Sequence, residues 1–195
     1  LNVQATYRFD TRLMLGGNYT LSWARGNFTG EDTAFGPGRA TVNDFPEYLE
    51  ARWNSPIGYT PNDQRHTLRT WVQYHLPAPP RMGRFDISVL QGFDSGEAYS
   101  ADGTVDPRPY VNNPGYHTPP SSVTYYFGER GALRWNDVWR TDLSLLWELP
   151  LTPSPKARVF FRGVVTNLFN NAAVIGGDDT ILTRNNNSLF ATFDP

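Results

Sequence analysis

The chain has 195 residues, a formal net charge of -2 and no cysteine. That length allows one large domain or a piece of something larger. The charge balance excludes the basic field that a nucleic-acid partner requires, and the missing thiols exclude a disulfide framework and thiolate metal sites. Mean hydropathy is -0.49, and no apolar run approaches the roughly 18 residues that a membrane helix needs. A membrane barrel stays open, because only every second strand residue faces lipid there. Aromatic residues make up 14% of the chain, with 17 Gly and 16 Pro, a mix that favours strands and turns over helices.

Six segments alternate with a period of two, the pattern of strands with unlike faces. The first sets Leu1, Val3, Ala5, Tyr7 and Phe9 against Asn2, Gln4, Thr6, Arg8 and Asp10. Because this alternation runs from the first residue, no signal peptide opens the chain and it reads as an excerpt of a larger protein. The second segment sets Leu13, Leu15, Gly17, Tyr19, Leu21 and Trp23 against Met14, Asn18, Thr20 and Ser22. The third sets Leu68, Thr70, Val72, Tyr74 and Leu76 against Arg69, Trp71, Gln73 and His75. In the fourth, Phe85, Ile87, Val89, Gln91 and Phe93 oppose Asp86, Ser88, Leu90 and Gly92. The fifth, RTDLSLLWELPL from Arg140 to Leu151, puts Thr141, Leu143, Leu145, Trp147 and Leu149 on one face. The sixth alternates Val159, Phe161, Gly163 and Val165 with Phe160, Arg162, Val164 and Thr166. No segment sustains a 3.6-residue period, so the expected fold class is all-β and antiparallel.

Short turns join these segments in pairs, whereas long stretches rich in Gly, Pro, Asn and Asp separate the pairs. The long stretches run roughly from Arg25 to Gln64, from Asp94 to Asp137 and from Asn170 to the end. Structureless loops of that length are unusual in a compact soluble domain. Short turns at one end and long loops at the other suit an outer-membrane barrel. The aromatic residues agree with this. Phe9, Tyr74, Phe85, Trp147 and Phe161 sit near the short turns, and Trp23, Phe93 and Trp139 sit toward the long loops. These are the two rows expected of aromatic girdles at two membrane interfaces. Trp139 and Trp147 are eight residues apart, roughly 26 Å along a strand and about 20 Å of height when tilted by about 40°. The expected architecture is therefore about six strands of a larger transmembrane β-barrel, with the apolar faces toward lipid and long extracellular loops. The competing reading is a secreted β-sandwich binding carbohydrate through loop aromatics, in which the apolar faces turn inward.

Four stretches have familiar wording: Asn18-Tyr19-Thr20-Leu21-Ser22-Trp23, Asp63-Gln64-Arg65-His66-Thr67-Leu68-Arg69, Arg140-Thr141-Asp142-Leu143-Ser144-Leu145 and Asn167-Leu168-Phe169-Asn170-Asn171. In this order they resemble the C-terminal barrel half of TonB-dependent outer-membrane receptors. The likeness is greatest to the Oar-like kind that carries an N-terminal carboxypeptidase-regulatory-like domain. The resemblance covers most of the chain between Leu1 and Val174 and implies a barrel of about 22 strands around an internal plug. It also implies a place in the bacterial outer membrane, uptake of large or scarce ligands, and the TonB complex as energy-delivering partner. The lipid bilayer and the remainder of the barrel and plug would be further partners. Residues 1–195 would form a partial barrel from which the N-terminal plug and the closing strand are absent.

No catalytic constellation stands out, and the expectation is a protein that is not an enzyme and needs no cofactor. An outer-membrane barrel enzyme remains an alternative. No G-x-S-x-G elbow is present, and His66, His75 and His117 lack the spacing of a metal site. Asp178-Asp179 and the pair Asp102 and Asp106 lack the calcium-loop pattern and read as solvated loop carboxylates. Gly16-Gly17 reads as a close-packing or bend site. The best candidate for ligand binding is the second loop, with Tyr110, Tyr116, Tyr125, Tyr126 and Trp135 as rigid aromatic area and Arg130 and Arg134 as fixed charge. The plainer reading of the same residues is that they fold the loops against one another.

Overall fold

A computed structural model describes residues 1–27, 56–106, 123–151 and 157–181. Twelve strands follow in chain order. They are β1 (Asn2–Arg8), β2 (Leu13–Leu21), β3 (Arg25–Gly26), β4 (Gly58–Tyr59), β5 (His66–Leu76), β6 (Arg84–Asp94), β7 (Ala98–Tyr99), β8 (Asp102–Val105), β9 (Val123–Tyr126), β10 (Leu133–Arg134), β11 (Val138–Pro150) and β12 (Arg158–Val165). No α-helix occurs among the described residues, and the one helical element is a 3-10 turn at Pro80–Met82. The chain divides into two compact units. The first holds Leu1–Ser22, Gln64–Gly96 and Asn136–Ile175, and the second holds Trp23–Asp63, Glu97–Trp135 and Gly176–Pro195.

The first unit is one antiparallel sheet of six strands in the order β1-β2-β5-β6-β11-β12. The six alternating segments form its six strands, and every neighbouring pair runs antiparallel. The register puts the apolar faces on one side of the sheet. Tyr7, Leu15, Val72, Val89, Leu143 and Val165 make one continuous row across all six strands. A second row joins Leu76, Phe85, Trp147 and Phe161. A slip of one residue between any two strands would throw half of these side chains to the other face, so the shared register is what makes the face coherent.

Much of that apolar face is exposed among the described residues. Val72 is 43% exposed, Leu145 44%, Phe161 59% and Tyr7 58%. The buried apolar residues among those described, Ala98 and Val105, both belong to the second unit. Within its unit, the six-stranded sheet is a single open layer: among the described residues, strands β1 and β12 each have one neighbour and the sheet does not close.

Local chemistry explains the sheet's turns and bends. Between β1 and β2 the Asp10 carboxylate accepts from the N–H groups of Arg12 (2.7 Å) and Leu13 (2.8 Å), an Asx-type turn. The Trp147 indole N–H donates to the Met82 carbonyl at 2.7 Å, tying the β5–β6 turn to β11. Gly16 lies opposite Trp71, and a Cβ at position 16 would stand 2.6 Å from the Trp71 ring. The indole occupies the space a side chain would need, as expected of a close-packing glycine. Beyond β12, Asn167 and Asn170 adopt the left-handed conformation, with φ of 50° and 48°. The Asn167 side chain accepts from the Asn171 N–H and donates to the Asn171 carbonyl, each at 3.0 Å. The Asn167 N–H donates to Asp142 at 2.9 Å and the Asn171 side chain to the Trp139 carbonyl at 3.0 Å. The NLFNN stretch is therefore a turn that folds the chain after β12 back onto β11.

The second unit corrects the expectation of structureless loops. Its described parts hold three two-stranded antiparallel ladders: β3 with β4, β7 with β10, and β8 with β9. The Ile181 N–H donates to the Asp102 carbonyl at 2.7 Å, which attaches the third long segment to β8. Alternation did not reveal these ladders because strands of two to four residues are too short to show a period.

Two outcomes test these turns. Asn167→Ala loses the side-chain bonds and the local polar contacts that let asparagine tolerate the left-handed region, and is expected to cost about 2 kcal/mol in a denaturant titration. Asn167→Gly keeps the conformation and should cost about half as much; equal losses would show that the backbone conformation contributes nothing. The Arg12 and Leu13 amides that Asp10 accepts hold its carboxyl below the usual carboxylate range. Because the folded value lies below the unfolded one, this contribution is present above the unfolded value of about 3.9 and fades as acid titrates the folded carboxyl. An NMR titration of Asp10 should show its midpoint below about 3.9, whereas an ordinary midpoint would remove the carboxylate from the turn.

Candidate functional site

The polar face of the six-stranded sheet carries the densest array of charge. Arg69, Gly92 and Arg140 stand level on β5, β6 and β11. With no side chain on Gly92, a hollow of about 110 Å³ opens between the two guanidinium groups, lined also by Leu90, Asp94, Val138 and Asp142. Arg69 pairs with Asp94 at 2.7 Å and also donates to the carbonyls of Leu68 (2.8 Å) and Phe93 (3.1 Å). Arg140 pairs with Asp142 at 3.0 Å. Asp94 Oδ1 is buried and has no hydrogen-bond partner. Toward the short turns a wider depression is lined by Gln73, Arg84, Asp86, Ser88, Glu148 and Arg162, among others. There Asp86 receives His75 (3.0 Å) and Arg84 (2.8 Å), and Glu148 receives Arg158 (2.7 Å). The four carboxylates Asp86, Asp94, Asp142 and Glu148 each pair with a cation on the same or a neighbouring strand, and Arg162 donates to the Ser144 hydroxyl at 3.3 Å.

The aromatic rows take their places on the opposite face. Phe85 stacks on Trp147 with ring centres 5.7 Å apart, and Trp147 on Phe161 at 5.5 Å. Phe9 stands edge-on to Tyr7 at 4.6 Å, and Tyr74 lies level with Ile87. At the long-loop end Phe93 packs on Trp139 at 4.3 Å. Near it the Tyr19 hydroxyl meets His66 Nδ1 at 2.7 Å, so this histidine is a neighbour of the aromatic row. Trp23 departs from the expected set: β2 ends at Leu21, and Trp23 belongs to the second unit, where it is exposed. The apolar face also carries a polar row of Thr70, Gln91 and Thr141, next to the Phe93–Trp139 row. Gln91 uses both ends of its amide internally, accepting from the Thr141 hydroxyl and donating to the Gly92 carbonyl.

Of the candidate ligand-binding residues, Tyr110 and Tyr116 lie outside the described residues. The others are engaged within the second unit. Trp135 stacks on Tyr99 at 4.1 Å, Tyr125 packs on Phe127 at 4.9 Å, and the Arg130 guanidinium lies 5.2 Å from the Tyr126 ring centre. Arg130 is buried and donates to the Asn27 carbonyl, and Arg134 pairs with Asp63. This is the pattern of residues that fold loops together. Asp63, marked in the sequence only as the first residue of the run that ends at Arg69, emerges with Tyr59 at the centre of the arrangement.

Asp178 accepts from the Thr180 N–H at 3.0 Å, and this bond together with the Thr180 hydroxyl holds its carboxyl below the usual range. Among the described residues no group of three or more His, Asp or Glu stands close enough together to hold a metal ion. No protein-family model, curated protein or solved structure matches the chain.

Proposed function

We propose that this chain is part of the wall of an outer-membrane β-barrel, of the TonB-dependent receptor kind that its sequence resembles. On this reading it takes part in ligand binding and uptake across the bacterial outer membrane and not in catalysis. The observation that carries this reading is the exposed apolar face of a single-layered sheet. Nine large apolar or aromatic side chains on it (Val3, Tyr7, Phe9, Val72, Tyr74, Trp139, Leu145, Phe161 and Val165) are between 37% and 59% exposed. Burying such a side chain fully is worth about 1.5–3 kcal/mol. Leaving nine of them about half exposed forfeits roughly 7–14 kcal/mol, as much as the whole net stability of a typical domain. Lipid would supply the missing burial. A sandwich would supply it with a second sheet, and none lies on this face within the unit.

Two features support the orientation. The stacked row at the short turns and the Phe93–Trp139 pair at the other end are spaced as interfacial girdles are. The charges gather on the other face, where a water-filled or plugged lumen would hydrate them. Both sheet edges fit continued pairing with further strands of the same wall, and the TonB complex and an internal plug follow from the resemblance.

In lipid, Leu145→Arg at mid-band is expected to cost about 2–4 kcal/mol of stability. Ser88→Arg, in the polar row one residue away and next to the Asp86 carboxylate, should cost much less. Equal losses for the two in a bilayer unfolding assay, or extraction of the chain from cells without detergent, would falsify the lipid-facing assignment. For ligand binding, the β8–β9 ladder allows a clean deletion, because Val105 pairs with Val123. Replacing residues 108–121 by a short Gly-rich turn should leave the sheet heat-stable. Binding should drop at least tenfold for whichever probe the intact chain retains from a panel of labelled oligosaccharides, peptides and metal chelates. Unchanged binding would exclude Tyr110 and Tyr116 from the site.

A further inference from the structure

Asp63 opens the Asp63-Gln64-Arg65-His66 run, and it is the most deeply buried acidic residue described, at 1% exposure. An ionised carboxylate in that position needs compensation from its surroundings, and two separate segments reach its oxygens. The Ala24 N–H donates to Oδ1 at 2.7 Å. Arg134 donates to Oδ2 through one terminal nitrogen and to the Asp63 backbone carbonyl through the other. The Asp63 N–H donates to the Thr60 carbonyl at 2.8 Å, which closes a turn beneath the carboxylate. The Arg134 guanidinium also lies 5.2 Å from the Tyr59 ring centre, with Arg25 at 5.9 Å from the same ring. Around this centre two backbones meet with no room to spare. A Cβ at Gly58 would stand 2.2 Å from the Arg130 carbonyl oxygen, and one at Gly131 would stand 2.2 Å from the Tyr59 carbonyl oxygen. The Tyr59 N–H donates to the Arg130 carbonyl at 3.2 Å, and the Gly131 N–H to the Ser100 hydroxyl at 2.8 Å.

We propose that Asp63 is the positioning residue of the loop unit: its buried pair with Arg134 locks the first and second long loops into one body. Whatever those loops recognise depends on Asp63 through placement and not through contact, since its side chain is 0% exposed. The pair is the natural centre because it joins the segments that leave β2, enter β5 and enter β11, at Ala24, Asp63 and Arg134. Fixing these three points fixes the bases of both loops. The inference holds whether the sheet sits in lipid or not, so its failure is separate from failure of the proposed function.

The test is amide hydrogen exchange on the full chain carrying Asp63→Asn, Arg134→Lys, or Asp63→Asn with Arg134→Gln. Asparagine keeps an acceptor for the Ala24 N–H but takes the Asp63 carboxylate charge away from the Arg134 guanidinium. Exchange at residues 24–26, 58–60 and 130–134 should accelerate on the order of 100-fold, while β5, β6 and β11 stay protected. Arg134→Lys keeps the charge but loses the two-pronged geometry, and should accelerate the same amides about tenfold. The neutral double variant should exchange more slowly than Asp63→Asn alone, because no charge is left stranded. Unchanged exchange at those loop amides would overturn the proposal. So would an additive double variant, or an equal loss of protection in β5, β6 and β11, which would make Asp63 a residue of the whole fold.

Discussion

The six-stranded unit depends on one continuous hydrogen-bonded ladder that has no layer behind it among the described residues of that unit. In most β proteins a sheet is held by its backbone bonds together with the burial of one face against another sheet or a helix. Here the ladder runs across six strands, with up to eleven paired positions between β6 and β11, and the apolar face finds no protein partner within its unit. Backbone pairing alone stabilises such a sheet weakly in water, because each bond exchanges for one to solvent. In hydrocarbon an unmade backbone bond costs several kcal/mol, and the same ladder becomes the dominant restraint. The long uninterrupted ladder and the uncovered apolar face are therefore explained together by the proposed lipid surroundings.

The polar row inside the apolar face fits the same constraint. Gln91 sits among apolar levels, where an unpaired amide would be costly in lipid. Its oxygen and nitrogen are both satisfied by Thr141 and the Gly92 carbonyl. Placed in water the same residue would need neither bond. On the opposite face the logic reverses: Arg69, Arg140, Arg84 and Arg158 are held by neighbouring carboxylates. Because the arginine of each pair is well exposed, the pair is screened by solvent and adds little stability. Their effect is to neutralise four of the six strand arginines on this face, and among the described residues Arg8 and Arg162 remain without a carboxylate within salt-bridge distance.

The sheet was legible in the sequence because its information is local and redundant. Each strand shows its two faces by alternation, and the short turns supply a register that the alternation of the next strand confirms. Leu143, Leu145 and Trp147 could be placed on one face from the fifth segment alone, and the ladder to β6 and β12 puts them where that reading required. The loop unit was not legible, for the opposite reason. Asp63 and Arg134 are separated by 71 positions, and neither lies in a periodic pattern. Nothing local marks one as the partner of the other. Tyr126, Trp135, Arg130 and Arg134 looked like a binding surface because rigid aromatics and arginines serve recognition well. The same properties make them good loop fillers, and composition cannot separate the two uses. Trp23 shows the boundary between the regimes: alternation carried it one step past the point where β2 stops and loop chemistry takes over.

The edges of the sheet extend the argument from the wall to its neighbours. Soluble sheets guard their edges with charge, proline, bulges or shortness. Strand β12 has none of these in strength. Along its eight residues Val159, Phe160, Phe161, Val164 and Val165 alternate over both faces, with only Arg158 and Arg162 charged. Strand β1 is exposed along all seven residues and carries a single Arg8. Left free in water, two such edges would pair with any available strand. A closed wall removes the hazard by giving every edge a permanent partner. On the proposed reading, a strand pairing with β12 would be antiparallel, with apolar residues level with Val159, Phe161 and Val165 and small or polar ones level with Arg158 and Arg162. That demand repeats the pattern already present in β5, β6 and β11, and a strand of the same kind would meet it without any new device.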